Sequence, residues 1–166
     1  MREIRRLDPR EDLQAVVQFY ETTQDYWLTA EGKPPGRQKA AAFFTDGPPG
    51  CNPAEACHLG LFLDGGLAGL AELSFGFPEP GDAYPGLMLL APPTRGAGHG
   101  QALLAKVEQL ARKAGSPSLY LAVLDANPRG RAFWERAGFT DTGLSRRDNS
   151  HGLNHMVRRM VKPLQV

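Results

Sequence analysis

Three glycines at alternate positions, Gly96, Gly98 and Gly100, follow the run Leu87-Met88-Leu89-Leu90-Ala91-Pro92-Pro93-Thr94-Arg95. An apolar strand pattern thus runs into a glycine-rich turn, and the turn opens a helical pattern. Glycine leaves backbone N–H groups uncovered and accepts φ values closed to other residues. A helix starting there adds the partial positive charge of its N-terminus, so the segment predicts a site for phosphate or pyrophosphate. A Walker A loop requires Gly-Lys-Ser/Thr, but Gly100 is followed by Gln101 and Ala102, which excludes the common ATPase signature. A dinucleotide fold needs G-x-G-x-x-G with an acid about 20 residues on. Here the spacing is G-x-G-x-G, in a chain with one evident βαβ unit.

A second segment carries chemistry downstream, Asn127-Pro128-Arg129-Gly130-Arg131-Ala132-Phe133-Trp134-Glu135-Arg136-Ala137-Gly138-Phe139. Asn127 and Pro128 predict the cap and first position of a helix. Upstream, Glu72 sits inside an otherwise apolar strand (Leu70, Ala71, Leu73) beside the strand that enters the glycine turn. A carboxyl in that setting is a candidate general base, with Asp82 as a second choice. Cys57 and His58 are adjacent, so on a strand their side chains face opposite ways, which disfavours a Cys–His nucleophile. His151 and His155 fall in a loop-and-strand region, and no metal site is expected.

Arg95-x-x-Gly98-x-Gly100 resembles the Q/R-x-x-G-x-G/A signature of the GNAT N-acetyltransferase superfamily. The Asn127-led helix followed by Gly138-Phe139 resembles the family's second motif. The likeness is specific over Leu87–Phe139, and the flanking elements agree in topology. It implies an α/β fold with a mixed central sheet of about seven strands. About four helices flank that sheet, which splays at its central parallel strands, in one acetyltransferase domain over residues 1–166. It also implies acetyl-CoA as co-substrate, without a metal. The pyrophosphate would rest on Arg95, Gly96, Ala97, Gly98, His99, Gly100 and Gln101. The pantetheine arm would pair along Leu89, Leu90 and Ala91. Asn127 would hold that arm or stabilise the splay, with Gly130 beside it. Phe133 and Trp134 would wall the thioester end.

The implied reaction is direct transfer to a primary amine of a small molecule or peptide. Glu72 would act as general base, and the Leu90 backbone N–H would stabilise the oxyanion. Many family members place Tyr, as an acid for the departing thiolate, where this chain has Trp134. An indole N–H donates a hydrogen bond but is no acid at neutral pH. The thiolate then leaves unprotonated, or Tyr84, Tyr120 or water substitutes. The alternative is an acyl-CoA sensor or inactive relative that kept the cleft without turnover. The family often forms homodimers, and no stretch of this chain marks a dimer seam.

The elements that must position these residues follow from patterning. Residues 2–7 read as a strand, and Asp8-Pro9-Arg10-Glu11 reads as a capping box that opens a helix fading near Thr23. Gly32 to Gly36 predict a loop, and Gln38–Phe44 a short helix. His58–Leu63 and Leu67–Phe75 flank Asp64-Gly65-Gly66 as a hairpin. Tyr84–Ala91 is the next strand. Leu103, Leu104, Val107, Leu110 and Ala111 mark the inner side of the helix after the turn, with Gly115 as its cap. Ser118–Leu124, a helix from Asn127 to about Arg136, Gly138–Leu144 and Asn154–Val161 complete the order.

Composition bounds the partners. Of 166 residues, 42% are apolar and 22% charged, and the net charge is +1, so nucleic-acid or membrane binding has no support from charge. A module that binds nucleotide or RNA through the basic C-terminal third ranks last, for want of a basic–aromatic run. Thr29–Pro93 holds three basic against seven acidic residues, and Arg129–Pro163 eight basic against three acidic. Such a split predicts a cationic acceptor at the first stretch and a polyphosphate near the second. Asp25–Arg37, Phe77–Ala83 and Arg146–His151 are the segments expected to shape the acceptor site. The Met1–Arg6 start does not read as a signal peptide, no run reaches the length of a membrane span, and Cys51 and Cys57 read as free thiols. A cytoplasmic location is the expectation.

Overall fold

The structure, a computed structural model, describes residues 1–164, and the last two residues of the expected 1–166 domain lie outside the described residues. The chain runs β1 (Arg2–Arg6), α1 (Leu13–Thr22), α2 (Gln24–Glu31), α3 (Arg37–Ala42), β2 (Cys57–Leu63), β3 (Gly66–Phe75) and β4 (Ala83–Leu90). It continues through α4 (His99–Lys113), β5 (Ser118–Leu124), α5 (Pro128–Arg136), β6 (Thr140–Asp148) and β7 (His155–Pro163). The strands form a seven-stranded sheet in the order β1-β2-β3-β4-β5-β7-β6.

Every neighbouring pair is antiparallel except β4 and β5. Those two are in register only at Ala83 and Leu119, near the start of each strand. Their C-terminal ends therefore diverge and open a gap in mid-sheet, as expected for a mixed, splayed sheet.

Each face of the sheet buries its own apolar layer. On one face Leu103, Leu104, Val107 and Ala111 of α4 pack with Leu59, Leu73, Leu119, Leu121 and Met160, and Phe133 and Trp134 of α5 pack against this cluster. On the other, Val16, Phe19 and Tyr20 of α1, Trp27 of α2, Ala40 of α3 and the adjoining Phe43 cover Phe62, Leu70 and Leu89. Each fully buried leucine contributes roughly 2 kcal/mol by removal from water. The hairpin corner has Asp64 at φ 50° and Gly65 at φ 87°, the paired positive values of a type I′ turn.

Two N-terminal expectations differ from the structure. The capping residue is shifted: Asp8 Oδ1 accepts from the N–H of Arg10 and Glu11, but Asp12, not Glu11, reaches back to the Asp8 N–H at 2.7 Å. Asp12 is also held by Arg5 at 3.0 Å, so the regular helix starts at Leu13. The flanking helices number five among the described residues rather than about four, because Gln24–Glu31 is helical. Only Trp27 is buried on that helix, so it shows no amphipathic stripe. Stacking of Trp27 on Tyr20 at 4.9 Å fastens it to the core, and Gly32 at φ 78° ends it. No helix among the described residues is long and apolar enough to cross a membrane.

Candidate active site

Two cavities flank the divergence of β4 and β5. The first, about 560 Å³, lies between the ends of those strands, the glycine turn, α2 and α5. Gly96 and Gly98 adopt φ values of 83° and 86°, a left-handed conformation that L side chains occupy at a cost. Gly98 is the N-cap of the fifteen-residue α4, so that helix turns its uncompensated N–H groups toward the turn. Gly100, which also lines the cleft, has a packing task besides. A Cβ there would stand 3.1 Å from the Phe133 ring, so its bareness lets α4 and α5 close on each other. Asn127 Oδ1 accepts from Gly130 N–H at 3.0 Å, and its side chain occupies the space a Cβ on Gly130 would need.

Arg95 is fixed on both sides. Its Nε donates to the Leu90 carbonyl at 3.1 Å, and its Nη1 lies 2.6 Å from Asp25 of α2. The Ala91 N–H donates to Ala68 O at 2.8 Å, which turns the backbone polar groups of Leu89 and Ala91 toward β3. Alternation along an antiparallel ladder then directs the N–H of Met88 and Leu90 into the gap. Backbone donors thus line the cleft wall above a cationic turn.

Of the residues expected to hold the co-substrate, Leu89, Leu90, Arg95, Gly96, Gly98, Gly100, Gln101, Asn127, Gly130, Phe133 and Trp134 line this cleft. Ala91, Ala97 and His99 do not; His99 Nδ1 lies 3.4 Å from Arg2 Nη1. Arg129 and Arg136 also line it, as do Asp25, Tyr26 and Thr29 of α2. None of these was among the residues expected to hold the co-substrate, although Asp25, Tyr26 and Thr29 fall in the Asp25–Arg37 segment expected at the acceptor site and the arginines in the stretch expected near a polyphosphate. The arginines were visible only as part of a basic stretch, and α2 carried no periodic signal.

The second cavity, about 650 Å³, lies over β3 and β4 beneath α1–α3 and is bounded on its far side by β6 and β7. Its floor holds Glu72, which is only 4% exposed. A β-bulge between Glu72/Leu73 on β3 and Leu87/Pro85 on β4 leaves Gly86 as the extra residue. Gly86 lies against the Glu72 carboxylate, where a Cβ would collide with Oε2. Ser74 Oγ donates a hydrogen bond to Glu72 Oε1. Burial raises the Glu72 pKa to about 7, the Ser74 hydrogen bond works against that rise, and Asp46 adds to it.

The two cavities adjoin. Tyr26 lines both, and the consecutive β4 residues Leu87 and Met88 line one each. Trp27 lines the second cavity, and its buried indole N–H has no acceptor among the described residues. Of the segments expected to shape the acceptor site, each contributes: Tyr26, Trp27 and Glu31 from the first, Phe77 from the second and Arg146 from the third. Asp82 is buried and its Oδ2 accepts from Glu79 N–H at 3.3 Å, away from both cavities. Tyr84 lines the second cavity, whereas Tyr120 lines neither. Among the described residues no cluster of His, Cys, Asp and Glu could hold a metal ion.

The model of the acetyltransferase (GNAT) family matches residues 7–139. An acetyltransferase from Thermus thermophilus superposes with a TM-score of 0.74 at 21% identity, covering 99% of this chain and 97% of that one. The ribosomal-protein-S18-alanine N-acetyltransferase of Escherichia coli gives 0.73 at 20% identity over 100% and 96% of the two chains. The PaiA N-acetyltransferase of Thermoplasma acidophilum, solved in complex with coenzyme A, gives 0.66 at 20% identity over 98% and 99%. At these identities the structures speak for the fold. A mycothiol acetyltransferase of Kineococcus radiotolerans is 40% identical over 83 residues, 50% of this chain. The match spans 26% of that longer protein. With the family model covering most of its length, the chain belongs to the GNAT acetyltransferase family, whose co-substrate is acetyl-CoA.

Proposed function

We propose that the chain transfers an acetyl group from acetyl-CoA directly to a primary amine, with the co-substrate in the cleft and the amine in the adjoining cavity. The observation that carries this reading is the adjacency itself. A cleft of backbone donors and a glycine-turn anion cradle meets, across Tyr26 and Leu87–Met88, a cavity floored by a buried carboxyl. The residues present fit a polyphosphate. The turn supplies left-handed glycines and a helix N-terminus, and Arg129 and Arg136 add positive charge at the rim.

When bound, acetyl-CoA supplies the thioester carbonyl that the amine attacks. An N–C bond forms, the C–S bond breaks, and its electron pair leaves with sulfur. Glu72 accepts one proton of the ammonium before attack, and the second nitrogen proton passes to water or to the departing thiolate as the amide forms. A carboxyl with a pKa of about 7 is well matched to that transfer near neutrality. The Leu90 N–H, turned into the gap, donates to the carbonyl oxygen as negative charge grows there. Such a donor is typically worth about 3 kcal/mol. Tyr26 and the β4 residues keep the two reactants in neighbouring sites, which replaces an encounter in solution.

Trp134 has its place in packing. Its ring meets Phe133 and Phe139 edge-on, with centroids 5.0 and 5.3 Å away, and its indole cannot protonate a thiolate. A thiolate is a good leaving group, and of Tyr84 and Tyr120 only Tyr84 lines a cavity. Release of free thiol from acetyl-CoA over a panel of primary amines tests the reading. Amine-dependent release that saturates with acetyl-CoA is expected. Tight acetyl-CoA binding without release on any amine would leave the sensor reading in its place.

A further inference from the structure

The charges of the acceptor cavity are sorted by wall. On the β3 side stand Glu72 and, at the rim, Asp46, which forms no ion pair among the described residues. Glu31 is occupied, with Lys39 at 2.6 Å and His151 at 3.6 Å. On the opposite wall stand Arg146 of β6 and Arg159 of β7. Arg146 pairs in register with Val157, and Val157 lies two residues from Arg159, so both arginines share one face of the sheet. Neither forms an ion pair among the described residues, unlike Arg158 on the other face, which lies 2.7 Å from Asp125.

Arg159 is held in place. Its guanidinium sits over the Phe77 ring, 5.1 Å from the centroid. Phe77 in turn meets Tyr84 edge-on at 5.1 Å. Tyr84 lies within electrostatic range of Arg159, Arg146 and Glu72, and all four line the one cavity. Between them the walls are apolar and aromatic, with Tyr20, Tyr26, Trp27, Phe43 and Phe77. A guanidinium without a carboxylate partner, fixed on an aromatic ring, is suited to a planar anion. An acceptor that is only cationic, such as a polyamine, would meet repulsion from this wall.

Resting on acetyl transfer at this site, we propose that the acceptor is an amino carboxylate with an apolar or aromatic body. Its amine lies toward Glu72, and its carboxylate lies on Arg146 and Arg159. A cavity of about 650 Å³ is of the size that encloses a small molecule, which favours a free amino acid over a long peptide.

The test compares each acceptor with its own neutralised forms: phenylalanine, tryptophan and methionine, the primary carboxamide of each, and the corresponding decarboxylated amines. Acetyl transfer is followed by thiol release and product mass. The free acids are expected to exceed their carboxamides by roughly ten- to a hundredfold in kcat/KM, as befits a charge-assisted pair, with most of the difference in KM. In the double variant Arg146→Gln/Arg159→Gln that ratio should collapse to within about twofold. Amides or simple amines acetylated as well as the acids would overturn the inference and leave acetyl transfer standing. A preference for the acid that survives the double variant would overturn the assignment to these two arginines. Acetyl-CoA binding without transfer to any member of the panel would bring down the transfer reading and this inference together.

Discussion

The cleft proposed for the co-substrate and the cavity proposed for the acceptor adjoin, yet they are built on different principles. The cleft is made of backbone: two nearly contiguous stretches, Met88–Gln101 and Leu124–Arg136, supply most of its lining. Its work depends on φ values, helix termini and exposed N–H groups, properties that a short motif can encode. The second cavity is made of side chains drawn from α1, α2, α3, β3, β4, β5, β6, β7 and the loop at Asp46–Pro49, among others. Its chemistry depends on which of those side chains face one another across the gap. The first kind of site can be shared widely within a fold. The second can change its ligand by single substitutions without disturbing the first.

If the two regions are separable, damage to one should spare the other. Gly98→Trp fills the turn at a position of positive φ with open space around it. It is expected to abolish measurable acetyl-CoA binding and, with it, turnover on every amine, as read by calorimetry and thiol release. Retained binding would mean that the turn is not the anion cradle. Gly86→Ala acts on the other region. Its Cβ would displace the Glu72 carboxylate from the bulge, so kcat/KM should fall about tenfold or more through the misplaced base. The Kd for acetyl-CoA should stay unchanged, and a matching rise in that Kd would break the separation.

Stability sharpens the comparison further. The folded pKa of Glu72, about 7, lies above its ordinary value of 4.5. The native state therefore keeps a proton that the unfolded chain releases between those pH values, and native stability declines as pH rises through that window. Glu72→Gln removes the cost of the buried carboxylate, so its Tm should exceed that of the parent at pH 8, with a much smaller difference at pH 5. An equal Tm at pH 8 would place Glu72 in contact with water. Ser74→Ala is the mildest change. Its hydroxyl favours the ionised form of Glu72, so its loss should move the rising limb of the pH–rate profile to higher pH without altering acetyl-CoA affinity.

What could be read from the chain divides along the same line. The strand into the turn, α4 with its Gly115 cap, and the Asn127–Pro128 start of α5 follow from local rules of turn and cap chemistry, and the structure has them within a residue or so. The helix at Gln24–Glu31 escaped because one buried tryptophan makes no periodic stripe. Gly100 reads as a third phosphate glycine and does line the cleft, but its close approach to Phe133, 33 positions away, is reachable only through the fold. The basic C-terminal third looked like one polyphosphate surface. Folding divides it, with Arg129 and Arg136 at the cleft and Arg146 and Arg159 at the acceptor cavity. Glu72 was visible as a charge in an apolar strand, but the bulge at Gly86 that makes room for it depends on the register of β3 with β4.

The most direct measurement of the division of labour is the pH dependence of kcat/KM for the parent and for Glu72→Gln, with acetyl-CoA Kd determined on the same preparations. The expected parent profile rises through a limb near pH 7, the value set by burial of Glu72. The variant should lose about a hundredfold or more in kcat/KM, lose that limb, and keep its Kd within about twofold. A variant that retains the limb and most of its rate would show that Glu72 is not the base, and would contradict the assignment of the second cavity to the amine.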